Sequence, residues 1–209
     1  MIITTATTTL GTWAVCAREQ DYDGVPPVNQ ALFDRAPRTL HPERLAVGSF
    51  LLFRPWISGT FTAGEWTSPA VAQAIADAAQ PIRVQCTGID QYAKTIAKGI
   101  RTVAVSTIGT SGGQVNGALQ IAFPRSDQRF GAHRDPHGEV VPSNAWLLAA
   151  AQDDARRAEV TLGCAVLFAE DLGVSRLHIP MAVSDSLREL LLTTGLSAEL
   201  PGRALSLED

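Results

Sequence analysis

Apolar and polar positions along the chain predict its elements in order. Ile2 to Thr9 and Thr12 to Ala17 are Thr-rich and β-branched around Leu10-Gly11, which predicts one strand or two short ones. Between residues 20 and 44 the pattern lapses. Pro26, Pro27, Pro37 and Pro42 stand among Asp, Arg and Asn, predicting an irregular connection with one helical turn around Gln30 to Asp34. Strand character returns at Leu45 to Phe53 and, after Arg54-Pro55, at Trp56 to Thr62. Ser68-Pro69 opens a helix: the hydroxyl caps it, proline at the first position lacks an N–H, and Val71, Ile75 and Ala78 share a face. Pro81 ends it. Ile82 to Cys86 predicts a strand, and Asp90 to Ala97 a short helix closed by Gly99.

Ile100 to Thr107 is a nearly continuous apolar run, the mark of a strand buried on both faces. A Gly-rich loop, Gly109 to Gly117, separates it from a second strand, Ala118 to Phe123, and residues 124–142 read as polar loop. Ser143 is placed to cap the longest helix, Asn144 to Leu172, which Gly163 is expected to bend or split. Gly173 ends that helix, and Val174 to Ile179 is a strand stopped by Pro180. Ser184 caps a last helix, Asp185 to Thr193, closed by Gly195, with an edge strand expected around Arg203 to Leu207. No internal repeat is visible in the sequence. The pattern predicts an α/β or α+β fold: a mixed sheet, a strand-rich N-terminal half, and a long helix (about 144–172) followed by a buried strand. A single domain over 1–209, with the irregular connection at about 20–44, is expected.

Composition narrows the function classes. With 209 residues, 45% hydrophobic and 18% charged, the chain can bury a core without staples and is too apolar to be disordered. No run of about 18 apolar residues is present, so no transmembrane helix is expected. Met1 to Thr5 has no basic segment before an apolar one, so no secretory signal is expected. The net charge of −4 argues against a broad nucleic-acid-binding face. The Trp and Tyr positions form no stripe with basic residues, which leaves a single-strand stacking platform unsupported. Cys16, Cys86 and Cys164 have no CxxC spacing and predict reduced, buried thiols in a cytoplasmic protein.

Between Arg101 and Arg125 no residue is charged, and this stretch carries the first candidate site. Ser106-Thr107-Ile108-Gly109-Thr110-Ser111-Gly112-Gly113-Gln114-Val115-Asn116-Gly117 follows a buried strand. In such a turn backbone N–H groups converge on an anion because no Cβ blocks the approach. Gly109, Thr110, Ser111, Gly112, Gly113, Gln114 and Asn116 are the candidate ligand-binding residues. The same stretch also reads as a plain connection with Asn116-Gly117 as a tight turn. Ser111-Gly112-Gly113 resembles the start of the SGGxDS signature of PP-loop ATP pyrophosphatases, with Val115 and Asn116 in place of its Asp and Ser. Gly109 to Gly113 resembles the GxSGG of chymotrypsin-like serine proteases. That resemblance implies Ser111 as nucleophile, His41 as base and Asp77 or Asp90 as the orienting acid.

The second candidate is the loop around His133, Asp135 and His137, whose imidazoles and carboxylate suit a divalent metal such as zinc or iron(II). With His178 and Arg188 it resembles the HxD…H…R pattern of iron(II)/2-oxoglutarate oxygenases. That implies an iron triad and an arginine on the co-substrate carboxylate, within a double-stranded β-helix. Here a long helix is predicted in the interval, and Asp135-Pro136 and His137-Gly138 also read as surface turns. His178, at the end of a predicted strand, is either a general base or a core histidine.

Three expectations result. One is a domain that binds a small anionic, nucleotide-like ligand at 106–117, with Ser111 and His178 as candidate catalytic residues. Another is a non-catalytic subunit of a larger assembly, using segments 20–44 and 53–61 on a protein partner. The third is a metal-dependent enzyme built on His133, Asp135, His137 and His178.

Overall fold

The structure is a computed structural model; it describes residues 1–9, 11–64, 66–110, 119–129, 131–135, 137–150 and 153–199. β1 (Ile2–Thr7) and β2 (Trp13–Arg18) form the hairpin that the Thr-rich start predicts. β3 (Gln30–Phe33) pairs antiparallel with β2, in the stretch where a helical turn was expected. Only Ala31 and Phe33 of its four residues face inward and are buried, too few to show an alternation in sequence. Then follow α1 (Pro42–Phe53), β4 (Gly59–Ala63), α2 (Pro69–Ala78) and β5 (Val84–Cys86). The order across this sheet is β3-β2-β1-β4-β5, with β1, β4 and β5 parallel.

Leu45 to Phe53 is helix rather than strand. Every residue from Glu43 to Phe53 is buried, and a segment surrounded by core shows no polar face from which to read its period. His41 at the cap and Pro42 at the first position mark its true start. The helix expected at Asp90 to Ala97 does not form. The Asp90 carboxylate accepts the N–H of Tyr92, a local bond that competes with helix formation.

The second sheet comprises β6 (Arg101–Val105), β7 (Leu119–Ala122), β8 (His133–Asp135), β9 (Gly138–Val140), β10 (Val174–His178) and β11 (Ser197–Glu199), in the order β11-β10-β6-β7-β9-β8. Its helices are α3 (Asp154–Ala169) and α4 (Asp185–Thr193). β8 and β9 form a hairpin inside the stretch expected to be loop. β6 is shorter than the apolar run, and Ile100 lies outside it, almost fully exposed. The long helix expected from Asn144 is cut short at its start. Asn144 Oδ1 accepts Leu32 N–H and Nδ2 donates to Gln30 O, so the residue serves β3, and Ala145–Leu148 form only a 3-10 turn. The cap of α3 is Asp153, whose carboxylate accepts Arg156 N–H at 2.9 Å, and the helix continues through Gly163. Gly173, at φ +64°, closes the α3–β10 turn, and Ser184 caps α4, both as predicted. The edge strand expected at 203–207 lies outside the described residues.

These elements form two halves of one plan. Setting aside β8, which adds an edge strand to the second half, each has three strands followed by helix, strand, helix and strand: β1-β2-β3-α1-β4-α2-β5 and β6-β7-β9-α3-β10-α4-β11, with strand order 3-2-1-4-5 in both. The halves differ at the second strand, since β2 runs antiparallel to β1 whereas β7 runs parallel to β6. Their sheets meet edge to edge: Phe33 pairs antiparallel with Ser143, flanked by Asp34 N–H to Pro142 O and Asn144 N–H to Leu32 O. α2 and α4 belong to opposite ends of the joined sheet and still pack on each other, so the sheet wraps around its helices. The sequence shows no repeat because the two halves share an order of elements and strands, not side chains.

At the centre α1 and α3 cross with almost no separation. A Cβ added at Gly163 would stand 2.9 Å from the carbonyl oxygen of Gly48, and one at Gly48 only 2.7 Å from Leu167 Cγ. Gly163→Ala therefore forces two helix backbones apart. It is expected to lower the unfolding free energy by about 1–3 kcal/mol despite alanine's better helix propensity. Urea denaturation reads this directly, and a stabilised variant would show that the crossing tolerates a methyl group.

Candidate functional site

In the second half, the chain leaves β6 toward β7 on one side and returns through α3 to β10 on the other, so β6 and β10 flank a topological switch point. Ligands of open parallel sheets sit outside the carboxyl ends of strands at such points. The Gly-rich loop issues from this edge. Its first residues are fixed by a closed set of hydrogen bonds: Ser106 N–H to Ile121 O, Ile108 N–H to Thr161 Oγ1, and Gly109 N–H to Phe123 O. Thr110 gives both its N–H and its hydroxyl to Thr107 O. Gly109 adopts φ +82° beneath Trp146, where a Cβ would come within 3.3 Å of that side chain. The donors of Gly109 and Thr110 are thus spent within the turn. Ser111, Gly112, Gly113, Gln114 and Asn116 lie outside the described residues.

Arg125 flanks the loop entrance. Its guanidinium stacks 3.9 Å above the Trp146 ring and holds Asp127 through two nitrogens, at 3.0 and 2.6 Å. An exposed pair of this kind contributes little stability, so an incoming anion can take the place of Asp127. On the same edge α3 and α4 begin, each with an acid in its first turn bound to an arginine three residues on: Asp154 to Arg157 and Asp185 to Arg188. His178 ends β10 half-exposed, between Ala104 of β6 and Glu199 of β11, with Nε2 3.4 Å from the Glu199 carboxylate. It is not the core histidine of the alternative reading.

His133 and His137 lie far from His178. His178, Ala104, Gln120 and Gly138 form one row across β10, β6, β7 and β9, and β8 lies one strand beyond. Four strand spacings separate β10 from β8, about 19 Å. The triad of His133, Asp135 and His178 is therefore not assembled. His133 is exposed, with both ring nitrogens 3.4 Å from Arg129 Nη2. Among the described residues no group of three or more His, Cys, Asp or Glu could hold a metal ion. His41 caps α1, its Nδ1 accepting the N–H of Glu43, and its ring meets Trp66 edge-on. Asp77 is bound by Gln73 and Asp90 by Tyr92 N–H, so the acid–base partners that the protease resemblance implies for Ser111 are each engaged elsewhere.

No family model, curated protein or solved structure matches this chain.

Sequence reasoning passed over a buried ionic group at the other edge. Arg35, just past β3, pairs with Asp171 at 2.7 Å and with Glu139, and both carboxylates are almost fully buried. Burial lowers the Arg35 pKa, Asp171 opposes that, and Arg134 and Arg38 add to it. Arg156, near the start of α3, is buried as well; it donates to the carbonyls of Leu51 and Leu52 and to Glu159 at 2.9 Å. These groups join the halves. The available signal was an arginine beside helix-end carbonyls, legible only once the helices are placed.

The three thiols are unpaired. Burial pushes Cys86 up to about 11 and raises Cys164 and Cys16. Because the folded thiols titrate above the unfolded value of about 8.5, their contribution to stability is complete below that pH. It is lost as pH rises toward about 11, where the unfolded chain alone has released its protons. With Ellman's reagent at pH 8, one thiol, Cys16, is expected to react in the native protein and all three after denaturation. Unfolding free energies should fall progressively above pH 9, and rapid native reaction of all three thiols would contradict the placement of Cys86 and Cys164.

Proposed function

We propose that the chain binds a small anionic ligand, such as a phosphate- or carboxylate-bearing nucleotide-like molecule, at the carboxyl edge of β6 and β10. The observation that carries this reading is the place where the 106–118 loop leaves the sheet: the switch point between β6 and β10. Five donors of residues 106–110 are engaged in the first turn, and in this reading Ser111, Gln114 and Asn116, with backbone N–H groups of Gly112 and Gly113, are the ligand's partners. Arg125 supplies the positive charge at the entrance, and His178 is the candidate base on the adjoining strand. A second reading, a protein partner on the 20–44 segment, has one observation in its favour: Tyr22 and Val25 are each at least 80% exposed. The 53–61 segment offers no comparable surface, because Phe53, Ile57 and Phe61 are in the core.

Thermal-shift and calorimetric titration with inorganic phosphate, pyrophosphate, mononucleotides and dicarboxylates tests the ligand reading. At least one anion is expected to raise Tm, and Ser111→Ala and Asn116→Asp are expected to weaken that ligand about tenfold without moving the ligand-free Tm. If no anion raises Tm, or if both variants bind as the parent does, the site is not there.

A further inference from the structure

The first half has its own switch point, between β1 and β4, on the opposite edge of the joined sheet. There an open cavity of about 380 Å³ lies at the carboxyl ends of both strands, under the first turn of α1. Thr5 of β1, Gly64 just past β4, Trp13 at the start of β2, and Pro42 and Leu45 of α1 form its walls with Leu40. This volume lies within the range of small-molecule sites, about 300–1,000 Å³.

The chemistry of the wall is unlike that of the other edge. The first turn of α1 offers an anion almost nothing. Pro42 has no N–H, the N–H of Glu43 is capped by His41 Nδ1, and that of Leu45 returns to His41 O. Among the described residues no charged side chain lines the cavity. Trp13 is held rigidly against Phe33 and Phe168, with ring centroids 5.5 and 6.1 Å away. The Thr5 hydroxyl and the Trp13 indole N–H are the polar side-chain groups of the wall, and neither is spent on a hydrogen bond among the described residues. Mainly apolar side chains, with two donors unspent among the described residues, favour a hydrocarbon body with an accepting oxygen.

We propose that this cavity is a second binding site, for a small, neutral, mainly hydrocarbon molecule carrying one hydrogen-bonding oxygen, such as an aromatic or short-chain alcohol or ketone. It is independent of the anion site. The two differ in position, in wall chemistry and in the charge of what they take.

The test is a titration of the full chain, followed by amide NMR, with 1-naphthol as the neutral probe and naphthalene-1-carboxylate and inorganic phosphate as charged comparisons. Saturable shifts are expected at Thr5, Trp13, Leu45 and Gly64 with 1-naphthol. The carboxylate is expected to bind there at least about tenfold more weakly, and phosphate not at all. Thr5→Phe places a ring in the mouth from an exposed strand position and is expected to reduce 1-naphthol affinity at least about tenfold. If Thr5→Phe lowers Tm, Leu40→Trp fills the cavity from the irregular segment instead. Three results overturn the proposal: no saturable shift at these residues with 1-naphthol, equal or tighter binding of the carboxylate, or unchanged affinity in a folded variant that fills the mouth.

Discussion

The contact on which the rest depends is the crossing of α1 and α3 at Gly48 and Gly163. Helix axes in proteins usually stand about 8–10 Å apart because side chains separate them. Here a Cβ on either glycine would come within about 3 Å of the other's carbonyl oxygen, and no larger residue fits at Gly163 without displacing Gly48. That closeness goes with two sheets that meet at their edges, where Phe33 and Ser143 form an isolated antiparallel bridge. Polar groups at the helix ends then complete each other across the crossing. Glu170, at the end of α3, accepts the N–H of His41 at the start of α1, and Arg156, at the start of α3, covers the last carbonyls of α1. Each end receives the charge its dipole favours, an acid at the N-terminus and a base at the C-terminus.

The same arrangement fixes where chemistry can occur. The half-sheets join antiparallel, so their carboxyl edges face opposite ways and each presents its own switch point. At the first, proline and a histidine cap remove most of the first-turn donors of α1, and the edge is a cavity lined mainly by apolar side chains. At the second, a long uncharged loop emerges beside a stacked arginine. One plan used twice thus yields two edges of different character, because the side chains, not the hydrogen-bonding plan, decide what each edge can hold.

Legibility followed how local each cause was. Ser68 and Ser184 cap helices whose apolar faces contact the core every three to four residues, and Gly173 closes its turn in the left-handed conformation, so these elements are readable from neighbours alone. The Gly-rich stretch stood out because charge is absent across it, and its described residues, 106–110, leave the sheet at a switch point. Where the determining contact is distant, the reading failed. Leu45 to Phe53 has no polar face since α3 and the sheet surround it, so its period is invisible. Asn144 looks like the first turn of a helix until β3 claims both ends of its amide. His178 and His133 look like one ligand set in sequence, and three strands lie between theirs.

Sequence alone therefore determined the class of fold, most strands and caps, the absence of disulfide or zinc-ribbon spacing, and the segment where a site is expected. Those follow from short-range rules of hydrogen bonding and side-chain period. Only tertiary structure decided that the chain is one plan repeated, that its helices meet at two glycines, that the histidines do not converge, and that a second cavity exists. Each of these depends on residues more than a hundred positions apart coming within a few ångströms, or on strands being ordered across a sheet, and no local pattern encodes that.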